Sequence, residues 1–193
     1  MNSFKKESDM YSIRNFNSKD TEDLKKICIE TAKDIFRGKK ITERALVDVY
    51  CRYYIEHEPE NCFVVVDEHD KAKGYILCAQ NYDSYKKIFK ENYLKTWNPV
   101  TLIMGNFAMK SIRDYVKEYP SHLHIDLLLE CQGQGYGRKL VETLIVHLRE
   151  KKINGLMLHV SVDNDGAISF YKKCGFKVLH AEKHDVLMGI KIT

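Results

Sequence analysis

Three observations predict an α/β (α+β) fold with a mixed central β-sheet flanked by helices. Residues 62–66 (Cys-Phe-Val-Val-Val) and 74–78 (Gly-Tyr-Ile-Leu-Cys) are β-rich runs around the polar turn 67–71, the pattern of an antiparallel hairpin. An apolar-rich run at 123–129 feeds a glycine-rich turn at 132–137, after which Leu140, Val141, Leu144, Ile145 and Leu148 recur at the helical period. The 193 residues, 44% apolar and 30% charged with 10 glycines and 3 prolines, suit one globular domain. Such a chain buries roughly 70% of its unfolded surface, and its composition excludes collagen-like, Pro-rich and wholly disordered polymers.

The elements follow in order. Residues 11–14 suit a short strand, and Ser18 or Asp20 can cap a helix carrying Leu24, Ile27, Cys28 and Ala32. A second helix is expected over 41–56, where Ala45, Leu46, Val49, Tyr50, Tyr53 and Tyr54 form one stripe, without a capping box because Thr42 has no Glu or Gln three residues on. After the hairpin, residues 81–120 form an inserted, partly helical segment: Tyr82, Tyr85, Phe89 and Tyr93 favour a helix, while 97–99 and 104–106 interrupt it. The run at 123–129 is a central strand, a helix opens near Tyr136, and Asn154 with Gly155 closes it. A strand at 156–162, a helix at 165–174 stopped by Gly175, and a strand pair at 176–179 and 185–192 complete the chain. No repeat or low-complexity tract interrupts it, so residues 1–193 read as a single domain.

Charge and cysteine usage narrow the function. The 31 basic residues exceed the 27 acidic ones by four, and they occur as scattered pairs rather than as a block that would grip nucleic acid. Six cysteines lie far apart with no C-x-x-C pair, which suits reduced, core-packed thiols and no metal. Residues 1–12 lack an apolar signal region, and 18 apolar residues never run together. The expectation is a cytoplasmic protein with no membrane or nucleic-acid partner. A homodimer is compatible with all of this.

The turn at 132–137 (Gln-Gly-Gln-Gly-Tyr-Gly) carries the chemistry. A strand feeding a Gly-rich turn at a helix N-terminus presents backbone amides at the positive end of the helix dipole, a site that attracts phosphate, and Arg138 and Lys139 add positive charge. The alternative is a tight connection without a ligand. A P-loop would need G-K-[ST], and a dinucleotide fingerprint would need glycine where Arg138 or Leu140 stands, so both are disfavoured.

Residues 132–137 resemble the [RQ]-x-x-G-x-[GA] motif of the GNAT N-acetyltransferases. Residues 164–176 (Asn-Asp-Gly-Ala-Ile-Ser-Phe-Tyr-Lys-Lys-Cys-Gly-Phe) resemble the same family's downstream N-x-x-A-x-x-F-Y-x-x-x-G-F. Residues 119–126 are similar, more narrowly, to the acetyltransferase-like domain of some O-GlcNAcases and its free-standing bacterial relatives. The resemblance implies a GNAT fold with splayed central parallel strands, here 123–130 and 156–162, and acetyl-CoA as co-substrate. Gln132, Gly133, Gln134, Gly135, Tyr136, Gly137 and Arg138 would then hold its pyrophosphate. Ile125 and Leu127, with Asp126 between them, match the backbone positions along its arm, and Leu127 N–H would polarise the thioester carbonyl. Asn164, Phe170 and Tyr171 complete the cofactor set. Leu129 departs from the proline of many relatives.

Acetyl transfer needs a neutral amine, yet an alkyl amine of pKa about 10.4 is unprotonated in only about one molecule in a few thousand at pH 7. A base or water chain must help. His122, His124 and Asp126 alternate onto one face of their strand, with Glu130 a fourth candidate; the alternative for each is a structural hydrogen bond. Tyr171 matches the family's general acid for the departing thiolate, its alternative being core packing, and Asn164 can cap a helix as well as touch the cofactor. The implied function is acetyl-CoA-dependent N-acetylation of a primary amine on a small molecule or peptide. The competing reading is a weak or inactive acyl-CoA-binding interaction domain. The insert at 81–120, with Trp97 and Phe107 among its aromatics, falls where an acceptor lid would lie.

Overall fold

Alternating side chains and two helical layers build a seven-stranded mixed sheet. The computed structural model describes residues 10–93, 98–108 and 113–193. In chain order the elements are β1 (Ser12–Asn15), α1 (Thr21–Glu30), α2 (Lys40–Val47), α3 (Tyr53–His57), β2 (Cys62–Val66), β3 (Ala72–Ala79), α4 (Tyr82–Asn92), α5 (Pro99–Ala108) and α6 (Arg113–Val116). They continue with β4 (Ser121–Leu127), α7 (Tyr136–Glu150), β5 (Gly155–Ser161), α8 (Asp165–Lys173), β6 (Lys177–Ala181) and β7 (Asp185–Lys191). The strand order is β1-β2-β3-β4-β5-β7-β6, antiparallel throughout except for β4 beside β5.

Strand parity decides which core each residue joins. Val64, Val66, Tyr75 and Leu77 pack with Leu24, Ile27, Tyr54 and Phe89 on one face. Val65, Ile76, Cys78 and Leu156 pack with Leu140, Val141, Leu144 and Leu148 on the other. Because both faces are covered, β2 reads as an unbroken apolar run rather than an alternating one.

The feature that positions the site is a split between β4 and β5. Their pairing is confined to Ser121 opposite Leu156 and His122 opposite Met157, after which β5 continues only with β7. Ser121 Oγ pins the closed end by donating to Gly155 O at 2.7 Å. A Cβ at Gly155 would lie 2.2 Å from the Glu118 carbonyl oxygen, so only glycine lets the segment before β4 come this close.

Several local expectations are corrected. Asp20 stands at the N-cap of α1 but makes no side-chain cap bond there; the capping bonds belong to the 3-10 turn just before it, where the Asn17 side chain accepts from Lys19 N–H and Asp20 accepts from Asn17 N–H. The helix expected over 41–56 is α2 and α3 joined by a π-turn, Asp48–Arg52. α7 ends at Glu150 with Lys152 in the left-handed region (φ 59°), whereas Gly155 already belongs to β5. The insert is α4 to α6; Trp97 and the Phe107 side chain lie outside the described residues. Among the described residues no helix is long and apolar enough to cross a membrane.

Candidate active site

Backbone groups of β4 supply the first part of the site. Leu128 N–H donates to Lys73 O on the β3 side at 2.9 Å. Successive strand amides point to opposite edges, so Ile125 and Leu127 direct theirs away from β3, into the gap left by β5. Gln132 Nε2 donates to Leu127 O at 2.8 Å and folds the turn back against the end of β4. Gln134 Nε2 likewise donates to Glu130 O at 2.6 Å.

The turn itself is shaped by glycine where glycine is required. Gly133 and Gly135 have φ of 72° and 85°, the left-handed region that favours glycine, and a Cβ on either would stand in open space. Gly137 serves packing instead, since a Cβ there would sit 3.2 Å from Phe170 Cζ. Gly135 is the N-cap of α7 without a side-chain cap, and the first turn of α7 carries no acidic residue. Uncapped amides, an open cradle and the positive end of a 15-residue helix fit a diphosphate, and the gap beside β4 fits an extended acyl arm.

The remaining residues singled out in this region are placed as follows. Tyr136 is buried and donates its hydroxyl to Tyr11 O at 3.1 Å, leaving only its backbone for the turn. Arg138 is ion-paired with Glu142 at 2.8 Å on the exposed side of α7, and the Lys139 ammonium lies 4.7 Å over the Tyr136 ring. Asn164 caps α8 by accepting from Ala167 N–H at 3.0 Å. Tyr171 is 8% exposed between the rings of Phe170 and Phe176. Burial, then the nearby charge of Asp126, raises its phenol above the ordinary value, so the hydroxyl keeps its proton.

On the α1–α4 face the gap opens into a cavity of about 560 Å³. Leu123 and His124 of β4, with Leu158 and His159 of β5, form its floor; Tyr82 and Tyr85 of α4 and Ile103 and Met104 of α5 form one wall. Lys33 and Phe36 between α1 and α2, Tyr50 of the π-turn, and Asp163, His184 and Asp185 beyond β5 close the rest. His122 lies at the end beside α4, with Nε2 2.7 Å from the Tyr54 hydroxyl and its ring 4.4 Å from that of Tyr85. His124 packs edge-on against Tyr50 and Tyr54. Burial lowers both imidazoles, His124 to about 4 and His122 well below 6.5, so both are neutral at pH 7.

Three sequence candidates stand apart from this cavity: Tyr171, packed in the core on the α7 side of the sheet, Asp126 and Glu130. Asp126 is on the cavity face but is engaged by Tyr75, whose hydroxyl donates to Oδ2 at 2.5 Å. Burial raises its carboxyl to about 6, and hydrogen bonds from Tyr75 and Thr31 pull it back only partly. Glu130 is exposed beyond the end of β4 and ion-paired with Lys73 at 2.9 Å. Conversely, sequence reasoning missed Tyr50, His159, Asp163, His184 and Asp185. His159 had a signal: it is two residues from Met157, the partner of His122, so strand parity puts it on the cavity face. Among the described residues no cluster of three or more His, Cys, Asp or Glu is arranged for a metal.

Comparison with known proteins gives concordant results. The profile of the Acetyltransferase (GNAT) family matches residues 28–176. N-alpha-acetyltransferase 30 of Schizosaccharomyces pombe is 29% identical over 153 residues, 79% of this chain and 77% of that protein. A crystal structure designated SsHAT superimposes with a TM-score of 0.83 at 26% identity, covering 95% of this chain and 98% of that one. PaiA N-acetyltransferase from Thermoplasma acidophilum, solved with coenzyme A, has the same fold with a TM-score of 0.62 at 17% identity over 94% of this chain and 98% of its own.

Proposed function

The chain belongs to the Acetyltransferase (GNAT) family, and on that premise we propose that it transfers the acetyl group of acetyl-CoA directly to a primary amine, the whole chain acting as one catalytic domain in the cytoplasm. The observation that carries the reading is the continuity of three parts: the open turn at 132–137, the amide edge of β4 and the cavity floored by β4 and β5. Acetyl-CoA, when bound, supplies a thioester whose acyl carbon takes the amine nitrogen as the C–S bond breaks, giving an amide and free coenzyme A. The narrower kinship of residues 119–126 with O-GlcNAcase-associated domains assigns no step.

Each residue then has a physical task. Amides of Gly133 to Arg138 hold the diphosphate, Ile125 and Leu127 pair with the arm, and Leu127 N–H polarises the acyl oxygen. His124, neutral and in the cavity floor, offers a ring nitrogen to the incoming amine, and the proton that the nitrogen sheds as the new bond forms leaves through a water chain. The Tyr171 hydroxyl, held protonated by burial, donates toward the sulfur as negative charge develops there. Burial raises all six cysteine thiols, and none of them lines the cavity, so no thiolate is available for an acyl-enzyme.

Free-thiol release from acetyl-CoA across a panel of amines tests the reaction. Tyr171→Phe should lower kcat by about 10²-fold or more while leaving coenzyme affinity near the wild-type value. Wild-type turnover by that variant would remove Tyr171 from the donor role.

A further inference from the structure

Glycines give the turn at 132–137 its shape but no side chains to hold it in place. Gly133 and Gly135 stand in the left-handed region, and Gly135 opens α7 without a side-chain cap. The side chains that fix these amides are those of Gln132, Gln134 and Tyr136. The two glutamines bond carbonyls of the adjoining chain, Leu127 O and Glu130 O. Tyr136 acts over a longer range: it is the first residue of α7, and its hydroxyl reaches Tyr11, which lies 125 positions earlier in the sequence and directly precedes β1.

The contact is buried and has two parts. The Tyr136 hydroxyl donates to Tyr11 O at 3.1 Å, and the two rings meet edge to face, with centroids 5.4 Å apart and planes at 81°. Both residues are buried, so the bond is withdrawn from water and is costly to leave unmade. The Tyr11 hydroxyl lies against the Cys131 thiol, which is also buried and immediately precedes the turn. Tyr11 therefore touches the chain on both sides of residues 132–135. β1 itself is a four-residue edge strand paired only with β2, and none of its residues lines the cavity.

Resting on the transferase reading, we propose that Tyr136 is a positioning residue for the coenzyme and that the N-terminal edge of the sheet, through Tyr11, is part of the coenzyme site. The clasp holds the first turn of α7 where the amides of Gly133 to Arg138 converge on one diphosphate. Without it the turn occupies several placements, and affinity falls in proportion to the fraction of molecules that are competent to bind. The coupling is reciprocal: a clasp that strengthens coenzyme binding is itself strengthened by bound coenzyme, which steadies β1.

The test uses the full chain, coenzyme A and Tyr136→Phe, which keeps the ring and removes only the hydroxyl. Calorimetric titration should give a Kd about three- to tenfold weaker in the variant, the range spanned by one net hydrogen bond. Tyr115→Phe is the control. It deletes an equivalent bond, from the Tyr115 hydroxyl to Leu179 O at 3.0 Å, at the opposite edge of the sheet, and should lower Tm while leaving Kd at the wild-type value. In the wild-type protein, coenzyme A should slow amide exchange in Ser12–Asn15 more than in Lys177–Ala181, the other edge strand, and the difference should shrink in Tyr136→Phe. A Kd unchanged in Tyr136→Phe, a Kd weakened equally in Tyr115→Phe, or equal slowing at both edges would overturn the inference and leave the transferase reading standing. Should Tyr136→Phe fail to fold, exchange in the wild-type protein decides. Failure of the wild-type protein to bind coenzyme A overturns the transferase reading and this inference with it.

Discussion

A histidine exposed to water titrates near 6.5, but His122 and His124 are enclosed by tyrosine rings that cannot solvate an imidazolium. Their protons bind more readily in the unfolded chain than in the folded one. Stability from this source is therefore complete above about pH 6.5 and is lost as the pH falls below it, and His147, also lowered by burial, acts in the same direction. Asp126 opposes them: its carboxyl keeps a proton to about pH 6 in the fold but releases it near 3.9 when unfolded, which favours the fold at the acid end of that window. With three imidazoles against one carboxyl, Tm should drop between pH 7 and pH 5, and by less in His124→Gln; equal drops in the two proteins would contradict the account. The glycines of the turn and the Phe170-Tyr171 pair were legible because their residue types and spacing are unusual. The burial of His122 against Tyr54 was not, since its Nε2 pairs with a tyrosine 68 residues away in sequence.

Element by element, local rules succeed where local interactions decide. The 62–79 hairpin forms as its pattern indicates, Asp67 accepting from His69 N–H and Lys71 N–H across the turn, and Gly175, at φ 93°, follows α8. They fail where tertiary contacts intervene. The 3.6-residue stripe of residues 45–54 contains a five-residue π-turn that brings Tyr50 to the cavity, an arrangement supported by the buried carboxylate of Asp48 facing Arg52 at 3.4 Å and Thr101 at 3.4 Å. Asn164 illustrates two roles at one position, helix capping and the proposed contact with the coenzyme arm. Asn164→Ala should cost about 1 kcal/mol of stability, whereas Asn164→Asp, which can still cap, should retain it while weakening acetyl-CoA by placing a carboxylate beside the arm. Urea denaturation read alongside the KM for acetyl-CoA separates the roles; unchanged KM in both variants would assign Asn164 to capping alone.

At the scale of the molecule, one asymmetry organises the rest. All seven strands can be listed from apolar runs and turn residues, but the two-residue pairing of β4 with β5 and the close approach of Gly155 to residue 118 are tertiary features that no periodicity reports, and the splay was expected only from the family resemblance. The same split opens to the glycine turn at one end and to the aromatic cavity on one face, so coenzyme and acceptor would meet at the β4 edge. α4 and α5 of the insert line the cavity together with β4 and β5. The most direct measurement is the thermal shift produced by acetyl-CoA. At about 100 times its Kd, a ligand held only by the folded protein adds about 2.7 kcal/mol, which for a domain of this size raises Tm by about 5–10 °C; Gly135→Ala, with a methyl in the cradle and a strained backbone, should show a smaller rise at the same concentration. A wild-type Tm unmoved by acetyl-CoA, or a full rise in the variant, would contradict the assignment of the turn and the β4 edge as the coenzyme site.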